Sequence, residues 1–278
     1  MGMWQILGRE LSLEKTLVMA ILNVTPDSFS DGGRYFAADE ALRRVEQMIA
    51  EGADIIDVGG ESSRPGSKPV SADEENSRVV PIIEAIAKRF DTPISVDTYK
   101  SAVAQAAAGA GAAIVNDISA FRFDTVMPET VAELKTGVVL MHSRGAFGTL
   151  HSTPPADDIF DAVSRDFHRA IDTAHAAGIA DQSIALDVGI GFGKTLDQNL
   201  ALISGIGRLI KAFPEYPFLI GTSRKSFIGK LLDGARPDQR LEGSLATAIV
   251  AVRSGVRIIR THDIKETSAA LKVVDALS

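Results

Sequence analysis

Eight short apolar runs, each followed by a stretch with helical periodicity, constrain the fold of this chain more than any other feature. The runs are rich in valine and isoleucine and are apolar on successive residues, which is typical of strands buried on both faces of a parallel sheet. They cover residues 17–22, 53–58, 93–96, 112–115, 137–141, 183–186, 217–220 and 256–259. Eight strand–helix units in one chain predict an α/β fold, the closed (β/α)8 TIM barrel.

The segments between the runs carry the signals that begin and end helices. Ser71 followed by Glu74 predicts a capping box, and Gly52 and Gly178 occupy positions where helices end. An open doubly wound sheet is the alternative fold that this pattern leaves. No composition shift or linker divides the 278 residues, so we predict a single domain over residues 1–278.

Composition excludes several classes of function. A formal net charge of −7 and a pI near 5.3 argue against a basic face, so we expect no nucleic-acid partner. The chain has no cysteine, which excludes disulfides, thiolate metal sites and a cysteine nucleophile. Charged residues interrupt residues 1–17, and no segment has the length of a membrane span. We therefore expect no signal peptide, no membrane partner and a cytoplasmic location.

Polar or charged side chains follow almost every predicted strand. In chain order they are Asn23, Asp57, Asp97, Asn116 with Asp117, His142, Asp187, residues 223–226, and Arg260 with His262. In a barrel the carboxyl ends of all strands surround one opening, so these side chains should converge. A single Asp or Asn after a strand is more often a helix cap, and Asp57 and Asp117 are candidates for structural roles. Caps do not require arginine, lysine and histidine, so the whole ring predicts a binding site.

The basic members of this ring indicate an anion site. Arg64, Arg260 and His262 supply positive charge or N–H donors, which suit phosphate groups on a barrel rim. The alternative for Arg260 is a structural ion pair with Asp263 or Asp233.

The acidic and amide members indicate a flat heterocycle. Asp97, Asn116 and Asp187 offer acceptors, and Asn116 also donates, which matches a ring with amino and amide edges. The sequence has no dense cluster of His, Asp and Glu. We therefore expect any magnesium ion to be shared with a phosphate substrate.

Three loops have an unusual composition. Residues 25–33 and 61–69 are rich in glycine, proline and serine, and are either ordinary solvent loops or lids that close over a substrate. Residues 189–195 resemble a phosphate loop, but that pattern requires glycine at Val188, and the dinucleotide fingerprint requires glycine at Lys194. The glycines of this segment instead predict a tight turn close to a ligand.

Several motifs resemble those of the dihydropteroate synthase family. The two longest are NVTPDSFSDGG at residues 23–33 and DIIDVGGESSRPG at residues 54–66. Shorter matches follow in the same order, namely SVDT at 95–98, VND at 115–117, LMH at 140–142, DVGIGFGK at 187–194, SRKS at 223–226 and RTHD at 260–263. The resemblance extends from about Leu17 to the C-terminus. It implies a pterin-binding TIM barrel and a transferase of folate biosynthesis, a class that sulfonamides target. Enzymes of the dihydropteroate synthase family condense 6-hydroxymethyl-7,8-dihydropterin pyrophosphate with p-aminobenzoate to give 7,8-dihydropteroate and pyrophosphate.

The resemblance also implies roles for single residues. The residues that would hydrogen-bond the pterin are Asp97, Asn116, Asp187 and Lys225, with Met141 and Phe192 packed against its ring. The residues that would hold the pyrophosphate are Asn23, Arg64, Arg260 and His262, with Mg²⁺ near Asn23 and Asp31. The p-aminobenzoate site would consist of Ser226, Phe29, Pro65 and the stem of Lys225, with Ser63 in the adjoining loop. The residues expected to act in catalysis are Lys225, Asp97, Arg260 and His262.

In this family the pyrophosphate leaves the pterin methylene and the arylamine nitrogen attacks the resulting cation-like carbon. That chemistry requires positioning and stabilisation of the charge on the leaving group, and it does not require an activated nucleophile.

Four residues depart from the family pattern. Ser63 stands where threonine is usual, and it keeps the hydroxyl. Val188 stands where proline is usual, which removes a rigid turn residue beside a pterin ligand. Ser143 replaces methionine and Thr261 replaces valine, and we expect both to alter inhibitor affinity without abolishing turnover. Residues 144–150 have no counterpart that we can place.

Two other functions remain as alternatives. A pterin-dependent methyltransferase shares the Asp and Asn contacts, but it does not need the pairs Lys225 with Ser226 and Arg260 with His262. A catalytically silent, pterin-binding paralogue is disfavoured by the intact lid motifs. The family is typically a homodimer through late barrel helices, and the apolar face of residues 241–252 suits either such an interface or packing against the barrel.

Overall fold

Eight parallel strands close into a barrel that is surrounded by helices. The computed structural model describes residues 2–24, 34–63, 66–150 and 152–277, with backbone alone for residues 34–38. The strands are β1 (Met3–Ile6), β2 (Arg9–Ser12), β3 (Leu17–Asn23), β4 (Ile55–Gly59), β5 (Ile94–Asp97), β6 (Ile114–Asp117), β7 (Gly137–Met141), β8 (Ile184–Asp187), β9 (Phe218–Ile220) and β10 (Ile258–Thr261). The helices are α1 (Arg34–Glu51), α2 (Ala72–Arg89), α3 (Ser101–Gly109), α4 (Met127–Leu134), α5 (Ile159–Ala176), α6 (Leu196–Ala212), α7 (Ser226–Leu231), α8 (Leu241–Arg253) and α9 (Ile264–Ala276).

The barrel consists of β3 to β10 in sequential order, and β10 closes it against β3 with Ile258 opposite Leu17. All eight predicted strands are therefore confirmed, and the open-sheet alternative is wrong. Every residue of β4 and of β7 is buried, because helices cover the outer face and side chains fill the interior.

The strand residues divide into two sets, as alternation along a strand requires. One set packs outward against the helices in the larger core. The other set fills the lower part of the barrel interior and includes Met19, Ile55, Ile114, Val139, Ala185, Leu219 and Ile258.

The hairpin β1–β2, which the sequence analysis did not predict, packs against the amino-terminal end of the barrel. Trp4 is fully buried with the inward-facing set, and its indole N–H donates to the carbonyl of Ser183 across 3.1 Å. A Cβ on Gly137 would lie 2.7 Å from Cγ2 of Ile6, so the hairpin touches the start of β7 closely. The carboxyl ends of the strands lie at the opposite end of the barrel.

Local helix signals are largely confirmed. Ser71 caps α2 by accepting from the backbone N–H of Glu74 at 3.2 Å. The Glu74 carboxylate instead pairs with Arg78 one turn later. Gly52 and Gly178 adopt φ values of +105° and +88°, which let the chain leave α1 and α5. Within the described ranges, no helix combines the length and apolar character that a membrane crossing requires.

Candidate active site

The side chains at the opening continue the inward-facing set of the barrel. Counting by twos along each strand leads from Met19 to Asn23, from Ile55 to Asp57, and from Ile114 to Asn116. The same count leads from Val139 to Met141, from Ala185 to Asp187, and from Ile258 to Arg260. Strand alternation alone therefore directs these side chains into one cavity.

Arg260 connects two acidic residues across the opening. Its Nε donates to Oδ2 of Asp57 at 2.6 Å, and its Nη2 donates to Oδ2 of Asp97 at 2.7 Å. Burial lowers the pKa of Arg260, but the carboxylates of Asp57 and Asp97 more than offset this, so the pKa is raised. The expected alternative partner Asp263 is wrong, because Asp263 pairs with Arg224.

Asp57 joins this group to Asn116. Oδ2 of Asp57 also accepts from Nδ2 of Asn116 at 3.3 Å, and the Asp57 side chain is completely buried. Burial raises the pKa of Asp97 to about 7, with Arg260 opposing the change and Asp57 adding to it. Asp57, considered structural from sequence, thus holds one residue predicted to bind phosphate and one predicted to bind pterin.

Asp187 and Lys225 form the opposite side of the cavity. Oδ1 of Asp187 accepts from the backbone N–H of Gly189 at 2.7 Å. Burial raises the pKa of Asp187, against the influence of Lys225. Nζ of Lys225 donates to the carbonyl of Ile190 and lies 4.7 Å from the centroid of the Phe192 ring. Burial lowers the pKa of Lys225 to about 8, against the influence of Asp187.

The loop after β8 is a tight turn, as its glycines predicted. Gly189, Gly191 and Gly193 have φ values of +64°, +88° and +67°, which side chains rarely adopt. A Cβ on Gly189 would lie 1.9 Å from the carbonyl oxygen of His142, so no larger residue fits there.

An apolar wall borders the cavity beside this loop. Met141, Ile118 and Leu150 are buried together, and Phe192 packs against them. Three aromatic residues that the sequence analysis missed, Tyr99, Phe123 and Phe147, join the same cluster. Phe147 and Leu150 come from the segment 144–150 that has no family counterpart, so this segment supports the wall.

The remaining predicted residues lie nearer the rim. Nδ1 of His262 lies 3.1 Å from Oγ of Ser223, and the backbone N–H of His262 donates to the same oxygen at 3.2 Å. Ser226 is exposed at the start of α7, and Ser63 is half-buried in the loop after β4. Asn23 ends β3, and a Cβ on Gly59 would lie 3.7 Å from Oδ1 of Asn23 and 3.8 Å from Oδ2 of Asp97.

Phe29, Asp31, Arg64 and Pro65 lie outside the described residues, as does the whole first loop, residues 25–33.

A buried ionic cluster anchors the second loop. Nζ of Lys100 donates to Oε2 of Glu61 and to Oε2 of Glu75, each at 2.5 Å. Oε1 of Glu61 accepts from the backbone N–H of Val70 at 3.0 Å, so Glu61 joins the two ends of the loop. Sequence reasoning missed this cluster, because its members are widely separated along the chain.

Asp117 has the structural role that was its alternative. Its carboxylate accepts from the backbone N–H groups of Ser119 at 2.7 Å and Phe121 at 2.8 Å. These bonds hold a turn in which Ala120 and Phe121 have positive φ values of 48° and 68°.

Two departures from the family pattern have local hydrogen-bond partners. Oγ of Ser143 donates to the carbonyl of Ile118 at 2.7 Å and accepts from Nη2 of Arg122 at 2.7 Å. Oγ1 of Thr261 accepts from the backbone N–H of Asp263 at 3.1 Å. Both hydroxyls therefore stabilise the loops that follow β7 and β10 at the opening of the barrel.

The described residues suit magnesium only as an ion shared with a substrate. No group of three or more His, Cys, Asp or Glu side chains that could hold a metal occurs in the described ranges. Asn23 and Asp97 nevertheless place an amide oxygen and a carboxylate oxygen on either side of Gly59. Mg²⁺ bound by one or two protein oxygens commonly completes its shell with water and substrate phosphates.

Known proteins resemble this chain over most of its length. Residues 19–262 match the family described as "Pterin binding enzyme". A curated relative, dihydropteroate synthase of Bacillus subtilis (strain 168), is 46% identical over 270 residues, covering 95% of this chain and 89% of the relative. The Yersinia pestis dihydropteroate synthase, solved with a sulfonamide drug complex, superposes with a TM-score of 0.92 at 44% identity, covering 99% and 98% of the two chains. The Burkholderia cenocepacia dihydropteroate synthase, solved with 7,8-dihydropteroate, gives a TM-score of 0.88 at 39% identity, with coverages of 99% and 96%.

Proposed function

This chain belongs to the dihydropteroate synthases of the pterin-binding enzyme family, and we propose that it is a transferase that joins 6-hydroxymethyl-7,8-dihydropterin pyrophosphate to p-aminobenzoate, releasing 7,8-dihydropteroate and pyrophosphate. The observation that carries this proposal is the convergence of Asp97, Asn116, Asp187 and Lys225 on the cavity that Arg260 spans.

The pterin ring fits the cavity by its donors and acceptors. Its amino and ring N–H groups would donate to the carboxylates of Asp97 and Asp187, and Asn116 can serve either as a donor or as an acceptor. Lys225 would donate to an acceptor on the ring through one of its three N–H groups, while another keeps its bond to the carbonyl of Ile190. Met141 and Phe192 supply the apolar surface for the faces of the ring.

The reaction then depends on the departure of the pyrophosphate. Arg260 and His262 lie at the end of β10, which pairs with the strand β3 that ends at Asn23, and they would hold the leaving oxygens together with Arg64. A positive group preorganised where charge develops lowers the barrier more than it tightens substrate binding. We propose that Mg²⁺, held by Asn23 and Asp31 together with the pyrophosphate, supplies further charge neutralisation to the leaving group.

The arylamine would approach from the rim. Ser226, Phe29, Pro65 and the stem of Lys225, with Ser63 nearby, would orient p-aminobenzoate so that its nitrogen faces the pterin methylene. Sulfonamides that resemble p-aminobenzoate would compete for the same place.

One assay tests the proposal directly. Purified protein is incubated with the dihydropterin pyrophosphate and Mg²⁺, with and without p-aminobenzoate, and both pyrophosphate and dihydropteroate are quantified. We expect dihydropteroate in stoichiometric amount with pyrophosphate only when p-aminobenzoate is present. A protein that binds the pterin but releases no pyrophosphate would instead be the silent paralogue. Methyl transfer from methyltetrahydrofolate to a corrinoid acceptor would identify the methyltransferase.

We further propose a cytoplasmic homodimer. In α8, Ala248 and Val252 are buried against the barrel, which removes them from the expected interface. Leu245 and Ile249 are only half-buried, and Val250 is exposed, so an apolar strip on the outer side of α8 supports pairing of two copies. Light scattering coupled to size exclusion should give twice the chain mass of 29.5 kDa, and Val250→Glu should reduce it to the single-chain mass.

A further inference from the structure

The side-chain nitrogen of Lys194 lies inside the loop that follows β8, where backbone carbonyls surround it. Its Nζ donates to the carbonyl of Gly189 at 2.7 Å, of Phe192 at 3.0 Å and of His142 at 3.2 Å. An ammonium has three N–H donors and a neutral amine has two, so three converging carbonyls match the charged form. Burial lowers the pKa of Lys194 well below its ordinary value, and the nearby carboxylate of Asp187 only partly opposes that effect.

The loop between Asp187 and Lys194 is folded around Nζ of Lys194. Its carbonyls at Gly189 and Phe192 point inward to Nζ. Its N–H groups point away, from Gly189 to Asp187 at 2.7 Å and from Gly191 to Oδ1 of Asn199 at 2.7 Å. Positive φ values at the glycines permit this separation of carbonyls from N–H groups. Lys194 therefore acts as a fixed hydrogen-bond donor at the centre of the turn.

The upper surface of the same loop contacts Lys225. The carbonyl of Ile190 accepts from Nζ of Lys225, and the Phe192 ring lies 4.7 Å from that nitrogen. Asp187, which binds the loop through Gly189, interacts electrostatically with Lys225 as well. A shift of the loop would therefore disturb the Ile190 carbonyl, the Phe192 ring and the contact with Asp187 together.

We propose that Lys194 is a positioning residue for the pterin pocket, which sets the height and orientation of Phe192 and of the Ile190 carbonyl beneath Lys225 without touching substrate itself. The inference rests on the proposed function, because it assigns Phe192, Asp187 and Lys225 to the pterin.

The test compares two variants of nearly equal side-chain length. Lys194→Met removes all three donors to the carbonyls of Gly189, Phe192 and His142, whereas Lys194→Gln retains two donors. Lys211→Met on the exposed end of α6 is the matched control. Each protein is first verified as folded by circular dichroism at the assay temperature.

We expect the Kd of a phosphate-free dihydropterin, measured by titration calorimetry, to rise at least tenfold in Lys194→Met and by a smaller factor in Lys194→Gln. The KM for p-aminobenzoate at saturating pterin should stay within twofold of wild type in both. The control should match wild type in every measurement. A general structural defect would instead lower the melting temperature and leave the pterin Kd of the folded fraction unchanged, and that result overturns the proposal. Equal losses of affinity for both substrates overturn it too.

If Lys194→Met does not fold, Lys194→Gln and Asn199→Leu decide the question. Asn199→Leu removes the acceptor of the Gly191 N–H and loosens the loop from its other side. A selective loss of pterin affinity in both variants supports the proposal, and wild-type affinity in both contradicts it. The wild-type titration separates this inference from the proposed function. If wild type binds no pterin, the proposed function fails. If wild type binds and the folded variants bind equally well, only the role of Lys194 fails.

Discussion

Arg260 donates its Nη2 to Oδ2 of Asp97 across 2.7 Å, so a residue predicted to hold the pyrophosphate and a residue predicted to hold the pterin are partners of one another. Each therefore sets the electrostatic state of the other, since Arg260 opposes the rise in the pKa of Asp97. Binding of the two halves of the substrate should be coupled through this pair.

Arg260→Ala tests that coupling. Loss of Arg260 removes a charged partner of Asp97, so even a phosphate-free pterin should bind less tightly. We now expect the pterin Kd to rise about tenfold and kcat/KM with the pyrophosphate substrate to fall by at least about 100-fold. Calorimetry and steady-state kinetics give the two numbers, and Arg253→Ala on α8 is the control. Equal losses for both ligands would defeat the assignment of Arg260 to the leaving group.

The pH dependence of pterin binding should be bell-shaped. Asp97 accepts through both oxygens as the carboxylate, whereas its protonated form carries a donor in place of one acceptor, so affinity should fall as pH drops through its pKa of about 7. Lys225, with a pKa near 8, loses its charge as pH rises, so affinity should fall above about 8. Titrations between pH 5.5 and 9.5, a range of about 1.5 units beyond each pKa, measure both limbs. Lys225→Arg should remove the alkaline limb and Asp97→Asn the acid limb; a limb that persists in its variant refutes that assignment.

Asp187→Asn should weaken pterin binding by about 10- to 100-fold, because loss of a hydrogen bond to a charged group costs roughly 1.5–3 kcal/mol. The new amide also presents a donor where the ring and the Gly189 N–H both donate. Calorimetry with the pterin alone measures the loss, and Asp172→Asn on the exposed side of α5 is the control. Unchanged affinity in Asp187→Asn contradicts the role of this carboxylate.

Gly189→Ala should destabilise the protein by at least about 2 kcal/mol, through the left-handed backbone and the overlap with His142. Gly109→Ala provides the contrast, since no atom lies within 4 Å of the added Cβ at this exposed end of α3. That variant should match or slightly exceed wild-type stability. Urea denaturation of both proteins gives the free energies of unfolding, and similar values for the two would refute the steric argument.

Phe29→Ala and Asp31→Ala test the lid prediction, which concerns residues outside the described part of the chain. If residues 25–33 act as a lid, turnover should collapse while the melting temperature stays within a few degrees, roughly the effect of 1 kcal/mol or less. Differential scanning calorimetry measures the melting temperature, and the assay that quantifies pyrophosphate and dihydropteroate measures turnover. A large drop in melting temperature with activity preserved would show that these residues are structural.

Sequence predicted the barrel well because its strands are buried on both faces, which leaves an apolar run for each strand. It also placed Asn116, Asp187 and Arg260 at one opening, because strand ends in a barrel must meet. The hairpin β1–β2 escaped prediction, since its strands are short and β2 is largely exposed.

Pairing within the opening was also beyond reach of the sequence. Arg260 lies 203 residues from Asp57 and 163 from Asp97. Asp263 lies close to Arg260 in the sequence and was therefore an expected partner, but its carboxylate pairs with Arg224. A ring of charges identifies which residues meet, while side-chain geometry decides which of them bond.

The hairpin β1–β2 packs Trp4 against the inward-facing side chains and closes the barrel at its amino-terminal end. Both substrates would therefore enter, and both products would leave, through the opening at the carboxyl ends of the strands. Asp187 is buried, whereas Ser226 is exposed at the opening. If Asp187 binds the pterin and Ser226 binds p-aminobenzoate, an arylamine that bound first would block the path of the pterin, so we expect the pterin pyrophosphate to bind before p-aminobenzoate.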